Sequence, residues 1–294
     1  MALILTEVLG STLSLADGEA PILTYHYGPE LYKPYFHPVH APNGQIVTDD
    51  APEDHVHHRG LCFTWGNVNG INYWAEINCD EAVRGRIVHH EFREKSVNAE
   101  MARFVIVNDW VAPDGAKPIE EISTVTVYPP QVEDSRDGGD HQVIDFRFEL
   151  HAQSVDVVMG TPPAYHGLCY RAAEMEYRKI INSDSCMGER EAKGKPAQWC
   201  ELGGVLGDEP VGVAIFDHPS NLRHPTRFYA LDENFGFIST SFAYDEPYTI
   251  TAGEVLTLKH RVLIHLGDLF TFDLWKCYEE YAGPRGGKNS EIRK

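Results

Sequence analysis

Apolar and polar residues alternate along much of the chain, with a period of two rather than the about 3.6 of an amphipathic helix. The segment 142–150 is the clearest case, because charged residues separate its apolar ones. Its apolar positions are Ile144, Phe146, Phe148 and Leu150. The segment 256–266 repeats the pattern, and His260 interrupts its apolar face. Both segments are predicted to be β-strands with one buried face.

Shorter segments rich in β-branched residues are further strand candidates. They cover residues 103–108, 122–128 and 211–216. Turn residues such as Gly203-Gly204 and Ala252-Gly253 lie between the candidates. Many strands with frequent turns predict an all-β fold, namely a large antiparallel β-sandwich.

One short helix is predicted at the C-terminal end. Phe270, Leu274 and Tyr278 recur at a four-residue spacing, which places them on one helical face. Asp268 is the expected N-terminal cap, and Gly283 stands where a helix ends.

The length of 294 residues fits either two average domains or one large β-sandwich. No shift of composition and no internal repeat marks a boundary, so a single domain over residues 1–294 is predicted. We expect its ordered core to cover about residues 5–283. The basic, Gly-rich tail 284–294 is expected to be flexible.

The charge balance is strongly acidic, since 44 Asp and Glu against 25 Lys and Arg give a net charge of −19. Such a chain repels phosphate backbones and anionic lipids, so neither nucleic acid nor a membrane is an expected partner. No apolar run reaches the about 18 residues that a membrane span needs. The six cysteines are scattered and the start lacks a signal peptide's features, so a cytoplasmic protein is expected. The oligomeric state is left open.

Candidate chemistry is concentrated in residues 35–76. Five of the 15 histidines fall within 22 residues, at His37, His40, His55, His57 and His58. Pro34 just before this stretch and Pro38, Pro42 and Pro52 within it exclude a regular helix or a central strand. The stretch is therefore predicted to be a structured loop, where binding groups on a β scaffold usually lie.

Histidine titrates near neutrality, so the cluster suits proton transfer on a polar, uncharged substrate such as a sugar. The residues assigned to catalysis are His55, His57, His58, Arg59 and Glu201. The histidines would transfer protons, and the arginine would stabilise developing negative charge. The glutamate would be a carboxylate partner, whose pKa burial would raise.

A second polar segment, 216–225, follows a candidate strand and presents planar hydrogen-bonding groups between prolines. Such a loop suits recognition of hydroxyls or carboxylates, and the alternative is an Asx-type turn held by Asp217. Trp65 or Trp74 would supply an aromatic platform. The residues assigned to substrate binding are His37, His40, Asn43, Trp65, Trp74, His166, His218, Asn221, Arg223 and His224.

Metal binding is an alternative interpretation of the same histidines. His55 and His57 would share one face of a strand, and neutral imidazoles bind zinc, iron or nickel. With Asp54 they would hold a divalent metal, the one cofactor considered, since no Gly-rich phosphate loop indicates a nucleotide. A metal-dependent oxygenase or lyase is thus the alternative function. A non-catalytic sugar-binding module is the second alternative.

Several motifs resemble those of the bacterial PmoA-like family, which also carries the label "methane oxygenase PmoA". They lie at 35–45, 54–61, 66–70, 212–226 and 252–263. The resemblance runs from about residue 20 to 282. It implies a cytoplasmic β-sandwich protein whose relatives tend to sit beside sugar oxidoreductases and isomerases. Methane oxidation is not expected, because the membrane methane monooxygenase subunit is polytopic and this chain has no apolar span.

The Gly-Glu turn before the final strand is also similar to that of galactose-mutarotase-type proteins, which implies a supersandwich-like fold. Residues and resemblance together predict a cytoplasmic carbohydrate-active enzyme. It would act on a sugar or keto-sugar glycoside by histidine-based general acid–base chemistry. Hydrolysis, elimination and epimerisation remain open as the reaction.

Overall fold

The structure is a computed structural model that describes residues 2–131 and 139–283. Two eight-stranded antiparallel sheets form a β-sandwich, which confirms the all-β prediction. The predicted flexible tail 284–294 lies outside the described residues.

Strands are numbered in chain order, and neighbours in each sheet pair with one another in the following spatial order. Sheet I consists of β1 (Leu3–Val8), β2 (Thr12–Asp17), β3 (Ala20–His26), β4 (Tyr35–Val39), β5 (Leu61–Thr64), β11 (Gly167–Arg171), β16 (Phe237–Thr240) and β15 (Phe228–Leu231). Sheet II consists of β12 (Glu176–Asn182), β13 (Trp199–Leu206), β14 (Glu209–Asp217), β18 (Val255–Leu266), β9 (His141–Ala152), β8 (Ile119–Val127), β7 (Ala102–Val111) and β6 (Arg86–Val97). A separate ribbon pairs β10 (Val157–Met159) with β17 (Tyr248–Ile250). The helical elements are a 3₁₀ turn (Glu81–Val83), α1 (Glu189–Ala192) and α2 (Leu274–Ala282).

The two clearest predicted strands form the centre of sheet II. The segments 142–150 and 256–266 lie in β9 and β18, which pair in antiparallel register with Ile144 opposite Val262. The four alternating apolar residues of β9 are all buried. His260 is buried as well, and its Nδ1 lies 3.7 Å from Asp217 Oδ1.

Aromatic side chains from both sheets meet in the core. The ring of Phe63 in sheet I stacks on Phe148 in sheet II at 4.0 Å, and Phe36 meets Phe146 edge-on at 5.6 Å. Burial of such large apolar surfaces is the main driving force for pairing the sheets.

Sheet I also has an apolar outer face. Successive side chains of a strand point to opposite faces, so Leu61, Leu168 and Ile238 enter the core while their neighbours face outward. The outward side chains form a small cluster that we call the outer cluster: Tyr35, Cys62, Trp74, Cys169 and Phe237. This cluster is the floor on which the candidate site is built.

Helix α2 starts later than predicted. Asp273, rather than Asp268, caps it, because the Asp273 carboxylate accepts a hydrogen bond from Lys276 N at 3.0 Å. Asp268 instead accepts from Phe270 N at 2.8 Å in the preceding turn. Gly283 ends the helix at a φ of 75°, as predicted.

The helix covers the outer face of sheet II. Leu274 and Tyr278 are buried there, and the ring of Tyr278 meets Phe216 edge-on at 5.7 Å. Within the described part of the chain, no helix combines the length and the apolar character required to cross a membrane.

Candidate functional site

A cleft of about 270 Å³ opens on the outer face of sheet I, close to the lower end of the range for small-molecule sites. The side chains of His55, His57 and His58 form one wall. Most of the remaining lining is aromatic: Trp74, Tyr165, Tyr229, Phe235 and Phe237. The structure therefore brings all three predicted catalytic histidines to one cleft, together with one of the two predicted tryptophans.

The histidines lie on a loop that closes on itself. At its base, Gly60 N donates to Asp49 O at 2.9 Å, and Arg171 N donates to Gly60 O at 2.8 Å. Within the loop, Ala51 N donates to His58 O at 2.8 Å. These backbone bonds tie the loop to the end of β11 and fix the positions of its histidines.

The imidazoles are packed against each other and against phenylalanine rings. The centroid of the His58 ring lies 4.7 Å from that of His55 and 4.8 Å from that of His57. Burial, with the nearby charges of Lys33 and His55, lowers the pKa of His57 to about 4. Burial, with His57 and Arg171, lowers the pKa of His58 to about 2. Both rings are therefore neutral at physiological pH.

Arg171 is the cation next to the histidines, and it was not among the predicted site residues. Its Nη1 lies 3.1 Å from His58 Nδ1, its Nε lies 3.5 Å from Asp49 Oδ2, and its guanidinium lies 4.4 Å from the Phe235 ring. Strand geometry places Arg171 on the same face of β11 as Cys169, but β11 is buried on both faces, so its sequence carries no alternation that could have indicated this.

Arg59, the predicted oxyanion stabiliser, bonds to the carboxylates of Glu76 and Asp50. Its Nη2 donates to Glu76 Oε2 at 2.6 Å, and its Nη1 donates to Asp50 Oδ1 at 3.1 Å. Lys33, fully buried, donates to the other Glu76 oxygen at 2.7 Å. Burial opposes ionisation of Glu76, but these hydrogen bonds hold the pKa of its carboxyl below its usual range. Arg59 therefore supports the loop and does not line the cleft.

Trp65 and His166 belong to the core rather than to the cleft. Their rings stack at 3.8 Å, and both residues are fully buried. Trp65 Nε1 donates to Gly160 O at 3.0 Å. Trp74 is thus the available platform, and its buried Nε1 has no hydrogen-bond partner among the described residues.

The predicted binding residues near position 40 hold the preceding loop. His37 Nδ1 lies 3.0 Å from Thr48 Oγ1, and His40 Nδ1 lies 3.3 Å from Ile22 O. Asn43 bonds to Gln45. None of the three predicted residues lines the cleft.

The second polar loop is held together by Asp217, as its alternative interpretation expected, but not by an Asx turn, because Pro219, two residues on, has no N–H to donate. The buried Asp217 carboxylate accepts from Asn221 Nδ2 at 2.7 Å and lies 2.7 Å from His224 Nδ1. His218 bonds to Ser220. Arg223 donates to backbone oxygens of residues 242, 246 and 247. This loop contributes nothing to the lining of the histidine cleft.

Glu201 lies on the other side of the sandwich. Its neighbours in β13, Cys200 and Leu202, enter the core, so Glu201 faces outward from sheet II. There it is fully buried and lies 2.7 Å from His265 Nε2. Burial raises the pKa of its carboxyl. The two sheets separate Glu201 from the histidines, so it cannot serve as their carboxylate partner.

The three side chains considered for a metal do not form a metal-binding group. His55 Nδ1 lies 2.8 Å from Asp54 Oδ2, while the ring centroids of His55 and His57 are 5.8 Å apart. Across residues 2–131 and 139–283, no group of three or more His, Cys, Asp or Glu side chains is arranged to hold a metal ion.

Comparison with known proteins gives a family without an assigned activity. The model of DUF6807, described as a family of unknown function, matches residues 12–275. This match includes the histidine loop, the outer cluster and most of both sheets. No curated protein matches the chain. The chain therefore belongs to the DUF6807 family.

Proposed function

We propose that this protein is a carbohydrate-active enzyme that binds a sugar or keto-sugar glycoside in the histidine cleft. The observation that carries the proposal is a wall of three imidazoles facing aromatic side chains in one cleft. Sugars have apolar C–H faces that pack on aromatic rings and hydroxyls that bond to neutral donors and acceptors.

His57 is the best candidate for proton transfer. Neither of its ring nitrogens has a hydrogen-bond partner among the described residues, and the residue is only partly buried. With a pKa of about 4, the ring is unprotonated at neutral pH and has a lone pair to offer. It would accept a proton from the sugar, or from an attacking water in the case of hydrolysis, and return it to a carbon or a leaving group. Hydrolysis, elimination and epimerisation all use this step.

The remaining parts of the proposal concern location and partners. All six cysteines are free thiols, which supports a reducing compartment such as the cytoplasm. The net charge of −19 opposes binding to nucleic acid or anionic membranes. The resemblance to the PmoA-like family supports a sugar-related role.

The test is an assay of purified protein with a panel of glycosides and their 3-keto forms, with products followed by NMR. We expect turnover of at least one compound, and a loss of about 100-fold or more in His57→Ala. His90→Ala is the matched control, because His90 is an exposed histidine in β6 of the other sheet. Full activity in His57→Ala would contradict the assigned role.

Other outcomes identify the alternatives. Thermal stabilisation by a sugar without any product would favour the non-catalytic binding module. A stoichiometric metal in the purified protein, required for activity, would favour the metal-dependent oxygenase or lyase.

A further inference from the structure

Arg171 and His58 meet at the back of the histidine wall. Each residue is only 6% exposed, and Arg171 Nη1 lies 3.1 Å from His58 Nδ1. A guanidinium carries only donors and stays protonated in proteins. His58 Nδ1 must therefore accept this hydrogen bond, so the proton of the neutral ring is on Nε2.

The other nitrogen of His58 is available to a ligand. His58 lines the cleft, and its Nε2 has no hydrogen-bond partner among the described residues. Nε2 is also not among the fully buried polar atoms without a partner. A bound molecule can therefore reach the Nε2–H group.

Packing fixes the plane of this ring. The ring of Phe237 stacks on His58 at 5.0 Å with an interplanar angle of 24°, and Phe235 meets it edge-on at 5.3 Å. The Phe235 ring in turn lies 4.4 Å from the Arg171 guanidinium. The donor group thus has a fixed direction, which is a requirement for stabilising charge at a defined atom.

We propose that Arg171 is a positioning residue that fixes His58 as a neutral Nε2–H donor, and that this donor binds the carbonyl oxygen of a keto-sugar. The second part rests on the proposed function. His58 cannot act as a base in this arrangement, because its only lone pair in the ring plane is engaged by Arg171. The low pKa of His58 agrees with this role.

The chemistry explains why a carbonyl fits better than a hydroxyl. When a base such as His57 removes a proton from the carbon next to the carbonyl, the C–H electron pair becomes the C=C bond of an enolate. The π electrons of the carbonyl move onto its oxygen, and the proton stays on the imidazole. The oxygen gains negative charge beside the Nε2–H group and near the Arg171 cation, where it is stabilised. A ring hydroxyl develops no such charge in this step.

The first experiment reads the tautomer directly and needs no substrate. Two-bond ¹⁵N–¹H NMR spectra of histidine-labelled protein are recorded between pH 5 and 8. We expect one His58 nitrogen with a directly bonded proton, assigned to Nε2, and one without, assigned to Nδ1, across the whole range. A proton on Nδ1, or a doubly protonated ring at pH 6, would overturn the inference.

Variants test the link to Arg171. In Arg171→Met, the His58 signals should become an average of both tautomers, and Arg171→Lys should restore part of the Nε2–H preference. Arg147→Met is the matched control, because Arg147 is an exposed arginine on β9 in the other sheet. Unchanged His58 signals in Arg171→Met would overturn the positioning role. Should that variant fail to fold, the wild-type spectrum still decides the tautomer.

The second experiment measures exchange of the proton next to the carbonyl in D₂O, with methyl 3-keto-β-glucoside and its parent glucoside as probes. We expect deuterium uptake into the keto compound only, with kcat about 10-fold to 100-fold lower in Arg171→Met and KM changed by less than about 3-fold. Turnover of glycosides without any exchange in keto-sugars would overturn the carbonyl assignment and leave the proposed function intact. No reaction with any sugar would overturn both, while the NMR result would still decide the tautomer.

Discussion

At the scale of single residues, the neighbours of each histidine determine what its ring can do. Arg171 occupies one nitrogen of His58, Trp65 stacks on His166, and His57 keeps both nitrogens free of partners among the described residues. The sequence showed that histidines cluster at 55–58, and they do share a cleft. It could not distinguish their roles, since the residue that sets the state of His58 is 113 positions away along the chain.

A substitution at Gly212 tests the buried pair of Glu201 and His265 on the outer face of sheet II. A Cβ atom at this position would lie 2.2 Å from Glu201 Oε1 and 2.2 Å from His265 Nε2, so only glycine leaves room for the pair. We expect Gly212→Ala to lower the free energy of unfolding by about 3 kcal/mol, because it separates two fully buried partners. Urea denaturation measures the change.

Gly253→Ala is the control for that experiment. Gly253 has a φ of +81° and nothing within 4 Å of an added Cβ, so only backbone strain of about 1 kcal/mol is expected. Equal losses in the two variants would show that crowding at Gly212 has no effect.

At the scale of elements, the strands that were predicted best are not those that build the site. The 12-residue strands β9 and β18 alternate clearly because one face is buried and the other is more exposed. The outer cluster beneath the cleft uses β5, β11 and β16, which have four or five residues and are buried on both faces. Such short strands show no alternation, and their order in the sheet depends on pairings between distant segments. For that reason the sequence predicted the fold class, but not the aromatic lining of the cleft or the position of Arg171.

The N-terminal cap of α2 can be tested by substitution. Replacing Asp273 by alanine removes the acceptor for Lys276 N, so we expect Asp273→Ala to cost about 1 kcal/mol of stability. Asp273→Ser retains a capping oxygen and should recover most of the loss. Urea denaturation followed by circular dichroism distinguishes the variants, and equal stability of Asp273→Ala and wild type would refute the capping role.

At the scale of the whole molecule, buried histidines make the fold sensitive to acid. Burial is the main reason why the pKa values of eight histidines fall, and in four of them the pKa falls to about 4 for His57, 2 for His58, 4 for His89 and 3 for His166. In the unfolded chain each of these histidines would have a pKa of about 6.5. Below this pH the unfolded state binds more protons than the folded state, so stability falls as pH is lowered. Buried Glu121 and Glu201, whose pKa values burial raises, act in the opposite direction and offset part of the loss.

We therefore expect the free energy of unfolding to fall by about 3 kcal/mol between pH 7 and pH 5.5. His58→Asn removes one of the four groups and should reduce the fall by about 1 kcal/mol. His90→Asn, at an exposed position, is the control. Urea titrations at both pH values measure the effect, and a protein that gains stability on acidification would disprove it.

The position of the cleft has one more consequence, for the motions of the protein. Strands β15 and β16 and the loops beside them supply most of its lining, while its near wall is the closed loop tied to β11. A molecule in the cleft would bridge these pieces and would lie on the opposite side of sheet I from the interface with sheet II. Occupancy would then slow local opening in sheet I more than in sheet II. Binding would therefore reduce amide hydrogen exchange in sheet I more than in sheet II. This difference would locate a bound molecule before its chemical identity is known.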